Sequence, residues 1–415
     1  MRWESETLLY PQKLSRVLIN ERERFLRLLQ QPQDERRAFE STLDELRRLS
    51  AADLEGRLQG AKSAGALPSE EYGRSDDVIL PFGLTWHSHA EAQAWALEKI
   101  ADVTTLAVDG SEIVPSRYYN LSLGAVQVGW FENQHRGGWA GQQQNLVGPP
   151  YVKDVDLDLV YAADVGQRRG RGFGFVEEEV KLRRFLKEID TIVGRMAAYA
   201  KKGSPAVVFF DGTLVVSFAS AMPEHARKEH IGGIVRLLRA SEEYRVPVVG
   251  YVDASDASDL VTMLAQALER EAPKSVSDAY LLAPRMRWGD RSKAFVCARD
   301  DILRDYWDVN GERSYQREVI FCYLKASSFG TLARLELPRW VLRAGLLDRV
   351  VDVVRAEIIP SGHGYPYCLE AAHELATLRA EDREMFYAAC HNFAAEHGVV
   401  LSLPPKAFSK RSRQS

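Results

Sequence analysis

Two apolar runs in this chain end alike: Thr104-Thr105-Leu106-Ala107-Val108-Asp109-Gly110-Ser111 and Ala206-Val207-Val208-Phe209-Phe210-Asp211-Gly212-Thr213. Each reads as a buried strand that delivers a carboxylate at its C-terminal end, where a glycine lets the chain turn. Asp-Gly pairs are also common in plain turns, so either motif alone would be weak. Elsewhere the apolar period is helical. In residues 1–60 it runs through Leu14, Val17 and Leu18, then Phe25, Leu26, Leu28 and Leu29, then Leu43, Leu46 and Leu49. Pro32 interrupts the pattern, which predicts two helices packed as a hairpin or arm. Such an amphipathic pair either covers the core or meets a partner. Residues 61–80 are rich in Gly, Ser, Pro and charge and read as a loop, and 89–100 reads as a helix.

Beyond Asp109 the period changes. Residues 118–131 are extended in pattern, 134–150 form a Gly/Gln-rich loop, and 151–163 alternate Val152, Val155, Leu157 and Leu159 with aspartates. These suit antiparallel strands beside the first. Residues 177–201 carry Val180, Phe185, Ile189, Val193 and Met196 at helical spacing, and Lys202-Gly203-Ser204-Pro205 stops that helix before the second Asp-Gly strand. A helix over 223–244, a strand over 246–252 and a helix over 256–271 follow. This order is that of an α/β fold with a ribonuclease H-like mixed sheet flanked by helices, here preceded by an N-terminal helical arm. In that topology the strand carboxylates fall near each other and the intervening helix supplies a third. Three such acids make an all-oxygen site suited to hard divalent cations and to phosphoryl transfer.

Composition narrows the field. A chain of 415 residues exceeds what one core usually supports, and its 46% hydrophobic and 27% charged residues are those of an ordinary globular protein. A net charge of −4 carries no overall basic field for a polyanion, so any DNA contact has to come from local patches. No window approaches the roughly 18 consecutive apolar residues of a membrane span. The start, Met1-Arg2-Trp3-Glu4, has no signal-peptide apolar region, so a cytoplasmic protein without membrane contact is expected. Cys297, Cys322, Cys368 and Cys390 are far apart and read as reduced thiols. No His-Glu-x-x-His occurs, and His87 and His89 look like a turn or cap ahead of a helix. A Gly-x-x-x-x-Gly-Lys-Ser/Thr loop is also missing, so ATP hydrolysis by this chain is not expected.

Five blocks carry a resemblance. They are Ala107-Val108-Asp109-Gly110-Ser111, Phe210-Asp211-Gly212-Thr213-Leu214, Trp288-Gly289-Asp290-Arg291-Ser292, Arg334-Leu335-Glu336-Leu337-Pro338, and Gly364-Tyr365-Pro366-Tyr367-Cys368-Leu369-Glu370-Ala371-Ala372-His373. In this order, over about residues 100–400, the chain resembles the NurA nucleases, the DNA-end-processing partners of the HerA translocase. The resemblance implies Asp109 and Asp211 as metal ligands, with Tyr365 and His373, eight residues apart, completing the site. It implies one or two Mn²⁺ or Mg²⁺ ions, with histidine tilting the preference toward Mn²⁺. The helix acid is taken as Glu188, with Glu177, Glu178 and Glu179 as alternates that the helix macrodipole would favour in any case. Without the resemblance, Tyr365 would be an aromatic in a Pro-containing turn and His373 a helix residue bonded to a carbonyl.

The implied function is a metal-dependent DNA nuclease, a 5′ to 3′ exonuclease and single-strand endonuclease that processes DNA ends. It would act as a homodimer with a HerA-like hexameric ATPase. Other readings are a catalytically inactive DNA or ATPase adaptor, and a nuclease of an antiphage defence system. Arg168, Arg169 and Arg171 form the best candidate DNA-binding loop, with solvated loop charge as the alternative. Trp130, Phe131, Phe173 and Phe175 are candidate stacking platforms or core residues. The expected division is 1–80 as arm and linker, 81–404 as the nuclease domain, and 405–415 as a basic tail.

Overall fold

The computed structural model describes residues 11–61, 63–115, 123–135, 151–161, 173–328, 330 and 332–399, without the side chains of 151 and 173–176. The chain opens with α1 (Pro11–Asn20), α2 (Arg22–Phe39), α3 (Ser41–Leu46) and α4 (Ala51–Leu58). The break expected at Pro32 does not occur. Pro32 lies inside α2, and α1 gives way to α2 at Glu21. A proline removes one backbone donor, a loss that water makes good on a helix as exposed as this one. α1 buries none of its residues, whereas Phe39, Leu43, Leu46, Leu54 and Leu58 join the core. The outer part of the arm is therefore exposed and its inner part packed.

Residues 61–80, expected as a loop, contribute two short strands, β1 (Gly65–Pro68) and β2 (Ile79–Leu80). Strands this short carry too little periodicity to be read, and their pairing is wholly tertiary. α5 (His89–Ile100) starts where expected, because the Ser88 hydroxyl accepts from the backbone N–H of Glu91. His87 and His89 lie at this cap, and the backbone N–H of His87 donates to Glu91 Oε2 at 2.9 Å.

Next come β3 (Thr104–Ile113), β4 (Leu123–Asn133) and β5 (Tyr151–Tyr161), then α6 (Phe173–Lys202), β6 (Ala206–Asp211), α7 (Glu224–Tyr244), β7 (Val248–Val252), α8 (Asp259–Ala267) and α9 (Asp278–Leu282). Over this stretch the element order is the one expected, with β3, β4 and β5 antiparallel neighbours. The C-terminal part adds β8 (Arg291–Ser292), β9 (Phe295–Ala298), β10 (Val319–Leu324), β11 (Ala333–Pro338), α10 (Arg339–Arg343), α11 (Leu347–Ser361), α12 (Tyr367–Ala376) and α13 (Ala380–Glu396).

Among the described residues eleven strands form one mixed sheet in the order β1-β9-β10-β11-β7-β6-β3-β4-β5, with β2 and β8 attached beside β10. β3, β6 and β7 run parallel, and the remaining pairs are antiparallel. Helices cover both faces, so central strands such as Ala-Val-Val-Phe-Phe-Asp of β6 are apolar without alternation. One core layer joins Leu106, Val108, Val208 and Phe210 to α6, α7 and the inner arm. The other joins Ala107, Val207 and Phe209 to α5, α11 and α12. Cys297, Cys322 and Cys368 are buried and all four cysteines are free, as expected. Among the described residues no helix is long and apolar enough to cross a membrane.

Candidate active site

β3 and β6 are parallel neighbours with Val108 opposite Phe210, so the next residue on each is one of the two motif aspartates. Ala107 and Phe209 face α12, and alternation turns Asp109 and Asp211 to the same side. Like charges on adjacent strands come close only if the fold holds them there. At Asp211 the strand ends as expected, and Gly212 continues at φ 129°, where only glycine is at ease. At Asp109 it does not end. β3 runs on through Gly110 to Ile113, paired with β4 all the way.

Gly110 is needed for a close approach instead of a turn. A Cβ built there would collide with Glu188 Oε1 and come 2.7 Å from Arg184 Cγ, so the bare backbone admits two side chains of α6. Glu188, only 7% exposed, is thereby brought to the end of the strand pair. Arg184, one turn earlier, donates from Nη1 to Glu188 Oε1 at 2.6 Å and to the Gly110 carbonyl at 3.3 Å. Its Nε lies 2.9 Å from Glu112 Oε2.

α12 supplies the other side. It packs against β3 and β4, and Gly129, the β4 partner of Asp109, gives it room. A Cβ at Gly129 would sit 2.9 Å from the Ala376 nitrogen and 3.0 Å from Leu375 Cβ. Gln127 Nε2 donates to the carbonyls of Leu375 and Ala376, both at 3.3 Å, and fixes the end of the helix. His373 is thus set with Nδ1 2.7 Å from Asp109 Oδ2. A carboxylate oxygen accepts, so Nδ1 carries the proton in this contact, leaving Nε2 for a proton or a metal. Just before α12, the Gly364 carbonyl accepts from the Tyr251 hydroxyl, and the Tyr365 ring stands edge-on to Tyr251 at 5.5 Å. The Tyr365 hydroxyl donates to Asp211.

The electrostatics follow from crowding. Burial pushes the Glu188 carboxyl up to about 8; Arg184 opposes this, and the charges of Asp109 and Asp211 add to it. Asp211 retains solvent exposure yet is also raised, by desolvation in the cleft and then by Asp109, against the pull of Tyr365, His373 and Arg184. Tyr365 is raised by burial and by the adjacent Asp211 charge, so it remains a neutral donor. Among the described residues no three His, Cys, Asp or Glu side chains already converge as a ligand set. The acids are held as pairs, Asp109 with His373, Asp211 with Tyr365, and Glu188 with Arg184. The donor chemistry still fits a hard divalent cation. Glu188 and Asp211 are each made harder to charge by burial and by the Asp109 carboxylate, Arg184 is the arginine paired with Glu188, and an imidazole stands beside Asp109.

The structure therefore gathers Asp109, Glu188, Asp211, Tyr365 and His373 at one place. The alternates are engaged elsewhere: Glu177 pairs with Lys181, Glu179 with Arg183 and His225, and Glu178 is exposed. Phe131 is buried core, and half-buried Trp130 carries the Arg195 guanidinium 4.8 Å above its ring, so neither is a free platform. Arg168, Arg169, Arg171, the tail 405–415, and the side chains of Phe173 and Phe175 lie outside those described. Sequence reasoning overlooked Arg184, Gly110 as a contact residue, and Gly129. For Arg184 a signal existed, since an Arg and a Glu four apart share one helix face.

Comparison with known proteins gives the chain a family. A family model described as NurA domain matches residues 103–378, more than half of the chain. No curated protein matches. The chain is similar to a solved structure titled "Crystal structure of NurA with manganese", at 12% identity and TM-score 0.39, covering 69% of this chain and 88% of that one. It is also similar to "Crystal structure of NurA bound to dAMP and manganese", at 12% identity and TM-score 0.37, covering 72% of this chain and 88% of that one. With the domain spanning β3 to the end of α12, and so every acid, the tyrosine and the histidine of the site, the chain belongs to the NurA family.

Proposed function

We propose that this chain is a divalent-metal-dependent deoxyribonuclease, and that the ribonuclease H-like reading of its central strands describes how the site is built. The observation that carries the proposal is the meeting of Asp109 of β3, Asp211 of β6 and Glu188 of α6 with His373 and Tyr365. Asp109, Glu188, Asp211 and His373 would hold Mn²⁺ or Mg²⁺, one or two ions. A bound ion supplies an activated water and charge neutralisation at the phosphate. The protein does the rest. Tyr365, kept neutral, donates a hydrogen bond that orients Asp211 or a phosphate oxygen. His373, held at Nδ1 by Asp109, can pass a proton at Nε2 to or from solvent, since it is well exposed. Arg184 keeps Glu188 directed at the strand ends.

In the full reading the enzyme is a 5′ to 3′ exonuclease and single-strand endonuclease that works on DNA ends as a homodimer with a HerA-like hexameric ATPase. Arg168, Arg169 and Arg171 hold phosphates, and the chain divides into an arm and linker over 1–80, a nuclease domain over 81–404 and a basic tail over 405–415. The test is incubation with end-labelled single- and double-stranded DNA and RNA in Mn²⁺, Mg²⁺ or EDTA. DNA cleavage in Mn²⁺ or Mg²⁺ that EDTA abolishes is the expected result. Undiminished cleavage in EDTA, or none in any metal, overturns the proposal.

A further inference from the structure

Glu336 belongs to a motif block that the acid constellation leaves unused. It sits on β11 opposite Gly250 of β7 and is 1% exposed. Its Oε2 accepts from the Leu214 N–H and from the Thr213 hydroxyl, both at 2.7 Å. These are the second and third residues after Asp211. Between them and the strand, the Gly212 N–H donates to the Tyr251 carbonyl at 3.1 Å. Gly250 makes the approach possible, because a Cβ there would lie 2.8 Å from the Gly212 oxygen and 3.0 Å from Leu214 Cγ.

The other oxygen of Glu336 is also committed. Oε1 accepts from Arg334 Nε at 2.7 Å, and Arg334 is itself buried, with Nη1 2.9 Å from Asp259 Oδ2. Asp259 accepts two bonds from Arg299, at 2.6 and 2.7 Å, and Arg299 Nη1 returns to the Ser217 hydroxyl at 2.8 Å. One buried ionic network thus grips the segment leaving Asp211 at Thr213, Leu214 and Ser217. Buried ion pairs of this kind add little stability over well-packed apolar side chains, so what the network contributes is geometry. That geometry is needed here. Asp211 is held beside like-charged Asp109, and an unanchored turn would relax away from it.

We infer that Glu336 is a positioning residue for Asp211, acting through Thr213 and Leu214. The inference rests on the nuclease reading above and predicts that metal affinity depends on a hydroxyl that touches no substrate. Thr213→Val removes that hydroxyl while keeping the shape, and Thr213→Ser keeps it. By titration calorimetry with Mn²⁺, Thr213→Val should bind about tenfold more weakly than wild type, and Thr213→Ser close to it. Cleavage should lose kcat in the valine variant, with KM for DNA little changed and serine restoring it. Glu336→Gln should lose metal affinity too, and if it fails to fold the Thr213 pair still decides. Wild-type Mn²⁺ affinity in Thr213→Val, whatever its thermal midpoint, overturns the inference. Wild-type protein that neither binds Mn²⁺ nor cleaves DNA would instead sink the nuclease reading.

Discussion

At the scale of single residues, the proposed site brings like charges near one another, the Asp109 carboxylate adding to the cost of charging both Glu188 and Asp211. Asp109→Asn and Asp211→Asn keep the volume and remove the charge, so each should abolish cleavage while the thermal midpoint in EDTA moves little or rises. Cleavage at the wild-type rate by either variant in Mn²⁺ would remove that residue from the site. Glu188 gives a sharper test, because its carboxyl is raised to about 8 from an ordinary 4.5. Folded protein then binds more protons than unfolded protein between these values, so metal-free stability should fall as pH rises from about 4.5 to about 8 and level off beyond. Glu188→Gln cannot titrate. In EDTA it should show a flatter profile and exceed wild type at pH 8 by an amount on the order of a few kcal/mol, while being inactive with metal. Urea melts across that range check the first part, and a nuclease assay the second. By contrast, Gln at Glu177, Glu178 or Glu179 should have modest effects, since these side chains serve the helix surface.

At the scale of elements, what could be read from the sequence was whatever a local period announces. The two apolar runs ending in Asp109 and Asp211, the alternation of β5 and the helical stripe of α6 each declare themselves within a dozen residues. Approach distances do not. Gly110 looks like a turn glycine and is a mid-strand gap filled from another element, and Gly129 matters only because α12, more than 200 residues later, lands on it. The short strands β1, β2 and β8 pair across long sequence separations, so little in their own residues marked them, and 61–80 looked like a loop for that reason. The contact role of Gly110 is testable against a neutral control. Gly110→Ala should displace Glu188 and Arg184, cost about 1–3 kcal/mol and cut cleavage roughly tenfold to a hundredfold. Gly194→Ala, inside α6 with nothing within 4 Å of the added Cβ, should instead stabilise by about 0.5–1 kcal/mol and leave cleavage alone. Equal behaviour of the two variants in melts and assays would mean that the Gly110 cradle has no role.

At the scale of the whole molecule, the arm is the part whose surface the fold does not use. Leu14, Val17, Leu18, Ile19, Phe25, Leu26, Leu28 and Leu29 are all exposed, although their spacing is that of a helix face built to be covered. From Glu35 onward the picture reverses. Glu35 Oε2 accepts from the Ser275 N–H, Arg36 lies over the Tyr280 ring, and Phe39, Leu43 and Leu46 enter the core. A cut near Ser69, inside the 61–80 stretch that composition suggested as a loop, would therefore strip β1 and the inner arm's share of the core layer. The informative cut is at Pro32, which removes the exposed face and spares the packed one. A chain beginning at Pro32 should melt close to the full-length protein and keep its Mn²⁺ binding. On the proposed homodimer and HerA-like partner it should lose self-association in light scattering, or capture by that ATPase in a pull-down, because an apolar stripe on paired helices is a natural seat for a second copy or a ring. If that chain self-associates and binds the ATPase as the full-length protein does, the stripe is not the interface.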